Sequence, residues 1–223
     1  MTREGRRPPA QATTVGEVLK RSDGIETMER LLEHAEKELA AVGSARFNLG
    51  RVLQEASVSK SSVYHHFGDR EGIIAAVELR HFSRELGALN LALRSFIETA
   101  PDRQSIEEAF RLWAGEEGNE TGVLSRQRRA SAIVAAQSSP GVATMLSEIQ
   151  RETADFFAST LQILVDREMI SPTLPLRGIA HWILSVMFAR VMVDITDDTA
   201  VTTEWVQVAV EAMLWVLEPG RGS

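Results

Sequence analysis

Side chains able to do chemistry form five groupings in this sequence, some of them overlapping. Ser57-Val58-Ser59-Lys60 has the S-x-x-K spacing that joins a serine nucleophile to a lysine in some acyl-transfer enzymes. The companion motifs of those enzymes are missing, and a turn followed by a helix N-terminus accounts for both residues. Glu78 and His81 stand in the Glu-x-x-His spacing of di-iron bundles, a chemistry that needs a second copy on another helix. The sequence holds no second copy. His65 and His66 diverge by about 100° around a helix and cannot share a metal ion. Cysteine is absent, which excludes disulfides and thiolate zinc sites. No catalytic, metal-binding or cofactor-binding set emerges.

Two clusters remain. Ser125-Arg126-Gln127-Arg128-Arg129 is a charge run whose default reading is a solvated helix face; an anionic-ligand site or an extra phosphate contact is the alternative. The segment SVSKSSVYHHFGDREGII, Ser57 to Ile74, crowds hydroxyl, ammonium, phenol and imidazole groups into two short helices. Ser59, Lys60, Ser61, Ser62, Tyr64 and His65 are the groups that hydrogen-bond to phosphates and base edges. Serines are short enough to let a helix approach a groove, and a helix N-terminus adds free N–H groups and a partial positive charge.

Helical periodicity positions these groups. Asp23 and Glu26 have capping-box spacing, and Ile25, Met28, Leu32, Ala35, Leu39 and Val42 recur every three or four residues up to Gly43. Asn48 is placed to cap a second helix with Leu49, Val52, Leu53 and Ala56 apolar, Ser59 a third with Val63 and Phe67 inward, and Asp69 a long fourth. Further helices are expected near 103–115, 120–137, 141–169, 175–196 and 200–217. Period-two alternation and hairpin signals are missing, so the fold class is all-α. Two short helices joined by a tight turn on a preceding helix are the arrangement of a helix-turn-helix reader of duplex DNA.

GSARFNLGRVLQEASVSKSSVYHHFGDREGII, Gly43 to Ile74, resembles the tetracycline-repressor-like (TetR) family of bacterial transcriptional regulators. The strongest points are Phe47, Val52, Ala56, Val58-Ser59-Lys60, Tyr64, His66-Phe67 and Arg70-Glu71. The resemblance implies a homodimer, an N-terminal three-helix DNA reader and a C-terminal helical ligand domain whose last two helices form the dimer bundle. It puts Lys60, Ser61, Ser62 and His65 near base edges or the adjacent backbone and Tyr64 and Arg70 on phosphates, with His66 packing or bonding within the domain; Arg46, Asn48 and Ser59 are expected to bind DNA as well. Three residues depart from the family pattern: Ser57 replaces the usual turn glycine, Leu53 replaces a small alanine, and Gly50 lies inside the second helix.

The net charge of −7 argues at first against a nucleic-acid partner. Within residues 43–70, however, Arg46, Arg51, Lys60 and Arg70 face only Glu55 and Asp69, so a basic face is available there; Arg3, Arg6 and Arg7 add a basic arm. Four regions are expected: an arm over 1–22, the DNA-binding domain over 23–70, a connecting helix over 71–100, and a ligand-binding and dimerisation domain over 101–218. The ligand cavity is expected to be lined by Phe110, Trp113, Ile133, Met145, Ile149, Phe156, Phe157 and Trp182, with Gln150 and His181 orienting a largely apolar small molecule. Trp182, Met187, Val191, Trp205, Ala209 and Trp215 supply apolar surface for a second subunit. No apolar run is read as approaching the ~20 residues that cross a bilayer, and a cytoplasmic protein is expected. The leading function is a repressor released by its ligand from an inverted-repeat operator; the alternatives are a DNA-binding regulator controlled by a partner protein and, less favoured, an all-α enzyme.

Overall fold

Wherever apolar residues recur at helical spacing behind an asparagine, serine or aspartate, the chain forms a helix. The computed structural model describes residues 15–116, 120–196 and 198–218, and among these every regular element is helical: α1 Val15–Arg46, α2 Leu49–Ala56, α3 Lys60–Phe67, α4 Arg70–Thr99, α5 Arg103–Glu116, α6 Glu120–Ala136, α7 Pro140–Asp166, α8 Leu176–Ala189, α9 Val191–Asp194 and α10 Thr199–Leu217. Of the expected caps, the Asn48 side chain accepts from Arg51 N–H and Asp69 from Gly72 N–H, while Asp23 lies inside α1; Ser139, not foreseen from the sequence, caps α7 by accepting from Val142 N–H. α1 starts upstream of the expected Asp23, and its regular path breaks at Gly43, where φ is 72°. Arg3, Arg6 and Arg7 lie outside the described residues, as do the expected breaks at Gly118 and Asp197.

The chain divides into two compact units, Met1–Ser62 and Val63–Ser223. In the first, Leu31, Leu32 and Ala35 of α1 are buried, as are Phe47, Val52, Ala56 and Val58. Polar contacts fix α2 on α1. The buried Glu38 carboxylate accepts from Asn48 N–H and from Arg51, each at 3.3 Å, which places a negative charge at the N-terminus of α2, where the helix dipole favours it. Arg30 Nε donates to the Ala56 carbonyl at 3.1 Å, and His34 sits 3.4 Å from Glu55.

In the second unit α4 packs against α6 and α7, α7 against α8, and α10 against α5 and α8. Ile97, Phe110, Phe157, Leu161, Ile183, Val210 and Met213 belong to one apolar core. Arg167 donates to the carbonyls of Ile97 and Ala100, satisfying acceptors that the end of α4 leaves open. Asp102 accepts from both the backbone and the hydroxyl of Ser105, which holds its carboxyl below the usual carboxylate range.

Two sequence readings are corrected here. The segments Leu176–Asp194 and Thr199–Leu217 are, by length and composition, apolar enough to span a bilayer; each sends one side into the core just described. The 125–129 run is not a plain solvated face. Arg126 is fully buried and grips Asp194 of α9 with two bonds, Nε to Oδ2 at 2.7 Å and Nη2 to Oδ1 at 3.0 Å. Arg190, also buried, lies 3.9 Å from the same carboxylate and 5.8 Å from the Trp205 ring.

Removing one member of a buried ion pair strands the other charge in a low-dielectric interior, at about 3–5 kcal/mol. Asp194→Ala is therefore expected to lower unfolding free energy in urea titrations by that amount. A loss below about 1 kcal/mol would show that this carboxylate does not hold α6 to the α8–α9 segment.

Candidate nucleic-acid interface and effector cavity

The turn between α2 and α3 is built by backbone hydrogen bonds. Ser57 takes left-handed dihedrals (φ 54°, ψ 41°). Its N–H donates to Gln54, and Val58 N–H donates to Leu53 at 3.0 Å, the paired bonds of a Schellman motif. Ser59 then starts α3: its hydroxyl oxygen accepts from Ser62 N–H at 3.3 Å and lies 3.1 Å from the Ser61 hydroxyl.

Within α3 the residues sort by the helical repeat. Val63 and Phe67, four apart, are buried, while Lys60, Ser61, Tyr64 and His65 are exposed. These four fall at i, i+1, i+4 and i+5 and so share one face. It carries an ammonium, a hydroxyl, a phenol and an imidazole, and α3 has no acidic residue. Ser59 is exposed and Ser62 half-buried. Around them Arg46 is exposed, with its Nε 3.3 Å from the Val42 carbonyl, and Asn48 is occupied as the α2 cap. Arg70 pairs with Glu71. The His66 ring is exposed and meets His65 edge-on at 5.1 Å; its backbone, rather than its imidazole, is what packs.

The far end of α3 is built into the second unit. The Ser139 hydroxyl donates to the His66 carbonyl at 3.4 Å. A Cβ at Gly141 would stand 2.5 Å from that same oxygen, and one at Gly72 would stand 1.8 Å from the Phe67 carbonyl. Both positions admit only glycine without moving backbone. They clamp the end of α3 between the start of α4 and the start of α7.

A cavity of about 150 Å³ lies between α4, α6, α7 and α8. Phe82, Leu86, Ile149, Leu184 and Phe188 form its apolar wall, and Arg129, Gln150, Thr153, His181 and Ser185 supply polar groups. The Arg129 guanidinium lies 4.3 Å over the Phe82 ring and 5.5 Å from the Phe188 ring. Of the residues nominated from sequence, Ile149, Gln150 and His181 line this cavity. Phe110 and Phe157 sit in the apolar core. Phe156 stacks under Arg94 at 5.6 Å, Trp182 is 38% exposed, Ile133 and Met145 are half-buried elsewhere, and the Trp113 side chain lies outside the described residues. Arg129 had its signal in the 125–129 charge run. Phe82 and Phe188 carried none, because periodicity gives a helix a face without naming its neighbours.

A short helix with a buried side, a donor-rich outer side and a capped N-terminus, entered through a tight turn, defines a helix-turn-helix DNA-binding protein. Residues 31–77 match the model of the tetR family of bacterial regulatory proteins, and the chain is a DNA-binding transcriptional regulator and not an enzyme. No curated protein matches the chain. Solved structures share its fold. They include a TetR-family transcriptional regulator of Mesorhizobium loti MAFF303099 (17% identity, 86% of this chain and 97% of that one, TM-score 0.53). Escherichia coli NemR in its reduced form is similar (16%, 86% and 98%, TM-score 0.52), as is a transcriptional regulator of Rhodococcus sp. RHA1 (15%, 88% and 98%, TM-score 0.56).

Left-handed dihedrals at a non-glycine residue cost about 1–2 kcal/mol, and glycine offsets part of any relief through its larger chain entropy. Ser57→Gly is expected to stabilise the protein by about 0.5–1 kcal/mol in chemical denaturation. A destabilised variant would mean that Ser57 does not hold this conformation in solution.

Proposed function

We propose that the protein is a homodimeric repressor that occupies an inverted-repeat operator and leaves it when a small molecule enters the cavity beneath α4. The observation that carries this reading is that one helix serves both places. α7 supplies Ile149, Gln150 and Thr153 to the cavity wall and, at its start, Ser139 and Gly141 to the end of α3. A ligand that prefers one position of α7 thereby prefers one position of the reading helix, and it releases DNA only as far as that preference goes. An open cleft with polar groups at Gln150, His181 and Ser185 supports a small effector over the alternative, a regulator with a filled core and a protein partner. The place of action follows from the partner: the cytoplasm, where bacterial DNA lies.

On the DNA side, Ser59, Lys60, Ser61, Ser62 and His65 lie against base edges and the adjacent backbone, and Tyr64 and Arg70 hold phosphates, Arg70 by exchanging Glu71 for DNA. Arg46 and Asn48, at the start of α2, are assigned to DNA contact as well. Lys60 is the best placed to meet guanine O6 and N7, a contact worth about 1–3 kcal/mol of discrimination. A two-fold dimer reads half-sites about one helical turn, or a small multiple, apart. Selection from random duplexes tests this. Wild type is expected to enrich an inverted repeat, and Lys60→Ala to relax one symmetric pair of positions while keeping non-specific affinity. If wild type enriches no such repeat, the repressor reading fails.

The exposed side of α10 supports a second subunit packing there. Val201, Val208 and Trp215 recur every seven residues and are exposed, with Trp215 at 59% and Val208 at 68%; such spacing forms a seam for a partner helix. Trp182 of α8 is exposed as well. Ala209 and Met213, by contrast, face the subunit's own core. Val208→Glu with Trp215→Glu should therefore give folded monomers that bind operator poorly, whereas an unchanged dimer in sedimentation would count against this seam. Gly141→Ala forces backbone to move at His66, at about 1–3 kcal/mol for an overpacked contact. Its operator affinity is expected to fall by about tenfold or more, and wild-type affinity would sever α7 from the reading helix.

A further inference from the structure

The cavity wall has a chemical polarity that says which effector it selects. Among the described residues its lining contains no carboxylate, and its one permanently charged group is Arg129. The guanidinium is not left to wander: the Phe82 ring lies 4.3 Å from it and the Phe188 ring 5.5 Å. Aromatic faces hold a planar cation by cation–π attraction and fix its orientation before a ligand arrives. Its neighbours in the same charge run are used differently. Arg126 is buried against Asp194, and Arg128 pairs with Glu78 at 3.2 Å. Of the three, Arg129 is the one that lines the cavity.

We infer that the effector is a ring-sized organic carboxylate whose acid group is bound by Arg129 and whose apolar body lies against Leu86, Ile149 and Leu184. This rests on the reading of the cavity as the effector site. The size follows from the volume of about 150 Å³, the class of cavity that takes up one benzene ring and well below the few hundred Å³ that a drug-sized ligand fills. The charge follows from the wall: a guanidinium fork binds a carboxylate with two parallel bonds, repels an amine, and gains less from a neutral amide. Thr153, buried on α7, gives the acid a second donor, so that binding pulls on the helix that touches α3.

The test is isothermal titration of the full-length protein with three probes of one shape: phenylacetate, phenylacetamide and 2-phenylethylamine. Phenylacetate is expected to bind at least about tenfold more tightly than the amide, with no heat from the amine, because a charge-assisted bond exceeds a neutral one by that margin. Arg129→Met should erase the acid's preference over the amide, and Arg129→Lys should restore part of it; circular dichroism checks that both fold. Should Arg129→Met not fold, the wild-type ranking and the lysine variant decide alone. The inference is overturned if the amide or amine equals the acid, if none of the three binds, or if Arg129→Met keeps the preference. Operator binding, followed by fluorescence anisotropy with each probe, separates this from the regulatory reading. Acid binding as expected with no change in operator affinity keeps Arg129's assignment and sinks the effector reading. Equal release by all three keeps the effector reading and sinks the carboxylate.

Discussion

The constraint on which the proposed regulation depends lies in the carbonyl oxygens at the end of α3. His66 and Phe67 present them to α7 and α4 so closely that a methyl group at Gly141 or Gly72 would collide with backbone oxygen, and Ser139 adds a hydrogen bond to one of them. Packed contacts of this kind do not deform gradually; they hold one arrangement or change to another. The compact-unit boundary falls inside α3, between Ser62 and Val63. Its N-terminal turn thus belongs with α1 and α2, and its C-terminal turn with the larger helical body.

Each unit has a charge system of its own. In the smaller unit Glu38 ties the start of α2 to α1 through Asn48 and Arg51, which sets the turn from which α3 departs. In the larger unit Arg126 and Asp194 lock α6 to the segment after α8, while Arg129, one turn further along α6, lines the cavity. Arginines with different surroundings therefore stand on one short stretch, and burial separates them: Arg126 is fully enclosed, Arg129 half-enclosed.

Local rules made much of this legible in advance. Asn48, Ser59 and Asp69 read as caps because a short side-chain oxygen before an apolar run satisfies open N–H groups, and each does so. Val63 and Phe67 read as the inner side of α3, and the helix boundaries after Pro101 fall within a few residues of the expected ones. Non-local facts were not legible. The partner of Arg126 lies 68 residues away, beyond any spacing rule. α10 is apolar on more than one side, so periodicity gave no direction, and Ala209 read as outward although it faces the core. The cavity is made by four helices meeting, and its aromatic pair around Arg129 comes from α4 and α8, which nothing in either segment announces.

The joint at α3 can be observed directly by hydrogen exchange of the full-length protein with and without its selected operator duplex. Exchange reports local opening at individual backbone amides. The account predicts that DNA slows exchange over residues 59–67 and, in the same titration, at the α6–α7 turn over residues 138–142, which no DNA contact explains. Protection confined to residues 59–67 with an unchanged 138–142 segment would contradict it, and protection that avoids α3 altogether would contradict it more deeply.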